Sequence, residues 1–152
     1  MVDIIHRVGI TAPISEVYKA LASVEGIQGW WTQTTTGTSA EGKSIRVQFN
    51  SREGVEIGSM DMLVKSLESD KKVHWHFTGG PEEWLGTDVT FDLHTEGDHT
   101  IVLFGHRNWK EAVEFTAHCS MKWAIFLLSL KELVETGNGR PSPNDVKIDN
   151  WN

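Results

Sequence analysis

Apolar and polar residues alternate along six segments in the middle of the chain, which is the pattern of half-buried β-strands. Short stretches that favour turns, such as SREG, ESDKK and EGD, separate these segments. We therefore predict an antiparallel meander with strands over residues 32–36, 44–50, 54–67, 71–78, 85–95 and 99–107. Residues 2–10 alternate in the same way and predict one further strand near the N-terminus.

Two helices are predicted between the first strand and the meander. Residues 14–21 place apolar side chains at helical spacing, and Pro13 stands where the first turn of a helix tolerates proline. Ser23 is suited to cap a short second helix. We expect this helix to end at Gln28, because Gly29 follows it.

A long helix is predicted near the C-terminus. Asn108, followed by Glu111 three residues later, resembles a capping box, and Gly137 is suited to end the helix. Between them, apolar residues recur every three or four positions over residues 112–134. They form one broad stripe, which needs a sheet to cover it.

The whole chain, residues 1–152, is predicted to form one domain, because no repeat or linker interrupts the pattern. Its core is expected over residues 2–137, followed by an irregular C-terminal tail over residues 138–152 that contains Pro141 and Pro143. The order is a strand, two helices, six strands and a long helix. This order predicts an α+β helix-grip fold, in which a curved seven-stranded antiparallel sheet wraps around the C-terminal helix.

Several segments support this fold by resemblance to a known family. IxAPISEVYKALA, GWW, HWHF, WLGTDVTFDL, TIVLFGHRNW and CSMKWAIFLLSLKELVETGNGRPSP are similar to the activator of heat-shock-protein-90 ATPase homologue-like family. That family is part of the START-like, birch-pollen-allergen-like (SRPBCC) superfamily, and the resemblance runs from Ile10 to about Pro143. Related groups include polyketide cyclases, lipid-transfer domains and allergens that hold hydrophobic ligands. The resemblance therefore implies a space between the sheet and the terminal helix that is either filled by side chains or left as a pocket for an apolar ligand.

Charge and composition exclude some functions. The chain has 14 basic and 21 acidic residues, a net charge of −7 and no basic cluster, so we do not expect it to bind nucleic acid. Its longest apolar run, residues 123–128, is too short to span a membrane, and the N-terminal residues lack the apolar region of a secretory signal. Cys119 is the single cysteine, which agrees with a reducing compartment. We expect a cytoplasmic protein.

The adjacent residues Trp30 and Trp31 belong to a set of seven tryptophans, an unusual number for this length. If Gly29 ends a helix and a strand follows, neighbouring side chains point to opposite sides. One ring is then expected to point inward and the other toward the pocket mouth or solvent. The alternative is that both rings fill the open end of the core.

Other candidate ligand-binding residues lie on strand and helix faces that are predicted to look at one another. Two methionines among them would give a wall that adapts to ligands of different shape. The alternative is that these residues are ordinary core. The candidates are Met60, Met62, Trp75, Phe104, Cys119 and Trp123.

His106 is the most informative histidine, because alternation turns it inward at a strand end. A neutral imidazole there could bind a ligand carbonyl or phenol, or transfer a proton near neutral pH. The alternative is a structural hydrogen bond to a loop carbonyl or to Asn108. His74 and His76 share the predicted outer face, but no third ligand accompanies them, so we predict no metal site.

The leading hypothesis is therefore the binding or carriage of a hydrophobic small molecule of lipid, flavonoid or polyketide type. The sequence lacks nucleophile, phosphate-binding and dinucleotide motifs, so we expect no cofactor, and a non-catalytic role is favoured. One alternative is a cyclase or hydrolase that uses His106 as acid and base. Another, implied only by the family resemblance, is a module that acts on the heat-shock-protein-90 ATPase. An exposed Trp31 or the tail could also seed a homodimer.

Overall fold

The computed structural model describes residues 1–152 and contains seven strands and three α-helices. The elements are, in order, β1 (Val2–Ile10), α1 (Ile14–Ala22), α2 (Val24–Trp30), β2 (Thr34–Gly37), β3 (Ser44–Asn50), β4 (Glu56–Glu68), β5 (Lys72–Gly79), β6 (Asp88–Glu96), β7 (His99–Trp109) and α3 (Glu114–Thr136). A short 3₁₀ turn, Glu82–Trp84, lies between β5 and β6. The predicted α+β fold is confirmed.

All seven strands belong to one antiparallel sheet with the order β1-β7-β6-β5-β4-β3-β2. Alternation sets which face of each strand is buried, as β5 illustrates. Val73, Trp75 and Phe77 are buried there, whereas His74 and His76 remain partly exposed. The buried face looks toward the helices and forms one continuous hydrophobic core.

The N-terminus of α3 differs from the prediction. Asn108 lies within β7, which continues to Trp109, and it has a left-handed backbone with φ of 71°. The helix begins only at Glu114. The first turn of α3 is closed by Thr116, whose Oγ1 accepts a hydrogen bond of 3.0 Å from the Val113 N–H. The C-terminus agrees with the prediction, because Gly137 ends the helix with φ of 90°.

Gly29 does not end α2, which continues to Trp30. A Cβ at Gly29 would lie 3.0 Å from Leu133 Cδ2, so glycine here permits the close approach of α2 to α3. Four predicted strand starts also move: β4 and β5 begin at Glu56 and Lys72, two residues and one residue later than predicted. β2 begins at Thr34 because the preceding residues close α2, and β6 begins at Asp88 because the 3₁₀ turn takes up the residues before it.

Residues 138–152, here called the C-terminal strap, have no helix or extended strand, as predicted, but they are anchored to the body. The Ser142 N–H donates to the Trp31 carbonyl over 2.7 Å, and the Gln33 N–H donates to the Ser142 carbonyl over 3.1 Å. Further along, Trp151 packs against Phe115 with 6.3 Å between ring centres. The strap therefore forms part of the wall at one end of the interior.

None of the helices combines the length and apolar character needed to cross a membrane.

Candidate functional site

A cavity of about 600 Å³ opens at the end of the interior that the strap covers. Its walls come from the first half of α3, the facing ends of β3 and β4, the 3₁₀ turn and the strap. Aromatic and apolar side chains make up much of the lining, among them Trp31, Phe49, Met60, Trp84, Trp123 and Phe126. The volume lies in the range of small-molecule sites, which is roughly 300–1,000 Å³.

The structure brings four of the nine predicted ligand-binding residues to this cavity: Trp31, Met60, Cys119 and Trp123. The other five do not line it. They are buried in the filled part of the interior, where side chains pack directly against one another: Trp30, Met62, Trp75, Phe104 and His106.

Both rings of the tryptophan pair are buried, so neither faces solvent, and of the two only Trp31 borders the cavity. Alternation does not apply, because Trp30 is the last residue of α2 and Trp31 is its C-cap with a right-handed helical backbone. The Trp30 Nε1 donates to the Ala20 carbonyl over 3.0 Å. Trp31 stacks between Trp30 and Trp75, each with ring centres 5.8 Å away, and one part of it borders the cavity.

His106 lies on the inner face, as alternation predicts, but both of its ring nitrogens take part in a chain of hydrogen bonds within the protein. Since an indole nitrogen only donates, the Trp123 Nε1 donates to His106 Nδ1 over 3.0 Å, and the proton of the neutral imidazole therefore sits on Nε2. That Nε2–H donates to Thr87 Oγ1 over 2.8 Å, and the threonine hydroxyl donates to the Trp84 carbonyl over 2.6 Å. Every polar atom of the ring is thus occupied.

Burial lowers the pKa of His106 to about 3, and the negative charge of Asp88 opposes only part of this shift. The imidazole is therefore neutral at physiological pH. Cys119 is equally unreactive, because burial raises the pKa of its thiol to about 12, against a smaller opposing effect of the Trp84 indole. Neither side chain has the properties of an acid, base or nucleophile that works near pH 7.

One side of the cavity is charged. Lys122 lines it from α3 and donates hydrogen bonds to Asp145 Oδ2 and to the Val146 carbonyl, both in the strap. Lys147 donates to the other oxygen of Asp145 over 3.0 Å. Burial would raise the pKa of Asp145, but the hydrogen bonds from the two lysines outweigh it and hold that pKa below its usual range.

Sequence reasoning did not find this charged group, although one signal for it exists. Lys122 stands three residues after Cys119 and four before Phe126, which places a lysine on the apolar stripe of α3. Its partner Asp145 lies in an irregular segment, where no periodicity indicates which side chains turn inward.

His74 and His76 lie on the outer face of the sheet, as predicted. His74 Nε2 and His76 Nδ1 are both directed at Asp88 Oδ1, at 2.9 and 3.0 Å, and Asn108 Nδ2 donates to Asp88 Oδ2 over 3.0 Å. Burial alone would raise the pKa of Asp88, but these hydrogen bonds lower it overall. The two histidines pair with the carboxylate, and no group of three His, Cys, Asp or Glu side chains is arranged to hold a metal ion.

A curved antiparallel sheet closed over a long terminal helix, with an aromatic cavity at one end, defines a protein of the helix-grip class. The sequence profile of the family described as activator of Hsp90 ATPase homolog 1-like protein matches residues 11–135. The chain belongs to this family. Comparison with curated proteins finds no match.

Solved structures agree with this assignment. The Aha1 dimer from Colwellia psychrerythraea is 42% identical, has a TM-score of 0.81, and the match covers 91% of this chain and 100% of that one. Protein SSP2350 from Staphylococcus saprophyticus is 18% identical with a TM-score of 0.73, over 93% of this chain and 98% of that one. CalU16 from Micromonospora echinospora is 21% identical with a TM-score of 0.72, over 93% and 77%. At such low identity the last two show a shared fold alone.

Proposed function

We propose that the chain binds or carries a hydrophobic small molecule, of lipid, flavonoid or polyketide type, in the cavity beside α3. The observation that carries this proposal is the space of about 600 Å³ that the core's own side chains leave unfilled. Aromatic rings border it on several sides, and such rings bind flat or apolar ligands by burying a large area.

The site favours binding over catalysis. His106 does not line the cavity, and both of its nitrogens are already hydrogen-bonded within the protein. Cys119 does line the cavity, but its raised pKa keeps the thiol protonated near neutral pH. A cyclase or hydrolase that uses His106 as acid and base therefore has less support than a carrier.

A titration with flavonoids, fatty acids and neutral aromatic probes, read by tryptophan fluorescence, tests the proposal. The wild-type chain is expected to bind at least one of these classes saturably and to change its tryptophan fluorescence, because Trp31 and Trp123 line the cavity. Absence of any saturable change for all three classes would refute it.

A variant whose cavity is filled by a new side chain provides the second test. Gly58 lines the cavity and is paired with Phe49 on the neighbouring strand, so the two residues share one face of the sheet. A Cβ at Gly58 would meet no atom within 4 Å, so Gly58→Phe can project its ring into the cavity. We expect the affinity to fall at least about tenfold. Thr78→Phe, on the exposed face of β5, is the control and should bind as the wild type does.

Family membership favours a second candidate partner, the Hsp90 ATPase named in the family description. A pull-down with purified Hsp90, together with its ATPase rate in the presence of the chain, tests this candidate. Retention with an increased rate would support it, and neither effect at micromolar concentration would rule it out.

We also propose that the chain forms a homodimer, as the Colwellia relative does. Light scattering coupled to size exclusion should then give twice the 17.1 kDa of one chain. A mass of 17.1 kDa across the accessible concentration range would contradict the dimer without affecting the cavity.

A further inference from the structure

We propose that the ligand of this cavity carries one anionic group, and that this group binds Lys122 in the place that Asp145 of the strap occupies. The inference rests on the proposed binding function and specifies its ligand class: an apolar, ring-containing acid. The strap carboxylate is then an internal substitute for the acid group of the ligand.

The position of Lys122 is the first observation. Its side chain is only 13% exposed, and its ammonium group lies 5.2 Å from the centre of the Phe126 ring. A buried cation is unfavourable unless an anion or a set of acceptors is held against it. The cavity wall therefore contains a site for an anion, surrounded by aromatic surface that suits an apolar body.

The source of the present anion is the second observation. Asp145 is 4% exposed, yet it comes from the strap, which has no helix or extended strand of its own. Of the side chains that line the cavity, Lys122 and Lys147 carry ammonium groups and Asp145 carries a carboxylate. Asp149 lies nearby and pairs with His118 over 2.7 Å. The anion at Lys122 is thus delivered by the least regular wall of the cavity.

An unpartnered donor is the third observation. The Trp84 Nε1 is buried at the cavity wall close enough to the Cys119 thiol to lower its pKa, but it forms no hydrogen bond of normal geometry within the protein. Asn152 Oδ1, on the strap side of the same cavity, also has none. A polar group of a ligand can pair with these two atoms, whereas the other unpaired indole nitrogens, those of Trp75 and Trp109, lie away from the cavity.

These observations predict an exchange. When the acid group of a ligand pairs with Lys122, Asp145 loses that partner. A carboxylate that has lost a partner is unfavourable in a buried position. Asp145 therefore moves toward water together with Lys147 and the adjoining strap. Binding of an acidic ligand and closure of the strap compete for the same ammonium group.

A matched pair of fluorescent probes tests the exchange. 1-Anilinonaphthalene-8-sulfonate and N-phenyl-1-naphthylamine share one ring system, and only the first carries an anionic group. We expect the wild type to bind the sulfonate more tightly than the neutral amine. Lys122→Met keeps most of the packing on Phe126 and should weaken the sulfonate at least about tenfold while changing the amine less than about twofold.

Asp145→Asn should act in the opposite direction. Removing the competing carboxylate should tighten the sulfonate about threefold to tenfold and leave the amine unchanged. Asp98→Asn is the control, because it makes the same change of charge at a side chain that is 80% exposed in the β6–β7 turn. It should leave both affinities as they are.

Lys122→Met alone leaves Asp145 with one lysine fewer, so the double variant Lys122→Met/Asp145→Asn is measured beside it. The double variant removes both members of the Lys122–Asp145 pair, and it should lose most of the wild-type preference for the sulfonate, with Lys147 left as the cation of the cavity lining. Equal affinities in the wild type, or a sulfonate affinity that Asp145→Asn does not raise, would overturn the inference and leave the proposed function standing. Absence of binding by both probes and by the ligands of the first titration would remove the proposed function itself.

Discussion

The two ends of the interior contain the same kinds of side chain, but one end is filled and the other holds a cavity. Around Trp30, Trp75 and Phe91 the rings pack edge to face, and α1 packs over β5 and β6. Around Phe49, Met60 and Phe126 a comparable set of apolar residues borders empty space. Aromatic content therefore does not decide whether such a fold holds a cavity. The element that covers each end decides it, since regular helices cover the filled end and the irregular strap covers the end with the cavity.

Trp123 forms the boundary between the two ends. One edge of its ring donates to the buried His106 and lies against Phe104, whereas another part lines the cavity. The closed hydrogen-bond chain fixes the position of this ring, so the wall that a ligand would touch is held rigidly from behind.

The largest expected effect compares one substitution at the two ends. Phe104→Ala should reduce the free energy of unfolding by about 3–5 kcal/mol, because it empties a fully packed position. Phe49→Ala should cost only about 1–2 kcal/mol, because that ring already borders open space. Urea denaturation of both variants measures the difference. Equal losses would mean that the two ends are packed equally well in solution.

The next effect is a pH dependence that belongs to the filled end. The pKa of His106 is about 3 in the folded chain and 6.5 in the reference state, so the unfolded chain binds this proton first as the pH falls. The stability from neutral His106 is complete above pH 6.5 and declines below it, by about 2 kcal/mol between pH 7 and pH 5.

His106→Gln tests this dependence, because a neutral amide cannot take up the proton in either state. The difference in unfolding free energy between wild type and variant should shrink as the pH is lowered from 7 to 5, because the other titrating groups are common to both proteins and cancel in the difference. A difference that stays constant over this range would show that His106 is not held neutral.

A smaller effect concerns the mobility of the covering elements. The Ser142 amide, which bonds to the Trp31 carbonyl, should exchange its proton at least about a hundredfold faster than the amides of β7, because the strap can open without unfolding the sheet. Amide exchange followed by NMR makes the comparison. Equal protection would show that the strap opens only with the whole fold.

The smallest effect is expected at the outer end of the strap. Trp151 is about half exposed, and Trp151→Ala should lower the free energy of unfolding by less than about 1 kcal/mol. Thermal unfolding of this variant, compared with that of Phe104→Ala, completes the series. A loss as large as that of Phe104→Ala would place the strap in the cooperative core.

The sequence could predict the sheet because alternation is local: the buried face of β5 follows from Val73, Trp75 and Phe77 alone. It could not predict Trp31, whose orientation follows from a helix end that Gly29 does not terminate. Lys122 was visible as a lysine on an apolar stripe, but its meaning depends on Asp145, which a segment without periodicity brings to it. Local sequence patterns therefore predict the helices and strands, whereas the side chains that line the cavity depend on contacts between distant segments.

The stack of Trp30, Trp31 and Trp75 has an optical consequence. Its successive ring planes are only 13° and 8° from parallel. The ring of Trp123 is tilted against the middle ring, Trp31, with 4.9 Å between the ring centres. The strong far-ultraviolet transitions of indoles this close couple with one another, so the far-ultraviolet circular dichroism of the folded chain should carry a coupled signal from the stack. Because Trp31 and Trp123 also touch the cavity, this signal would report on binding of the proposed ligand without any attached label.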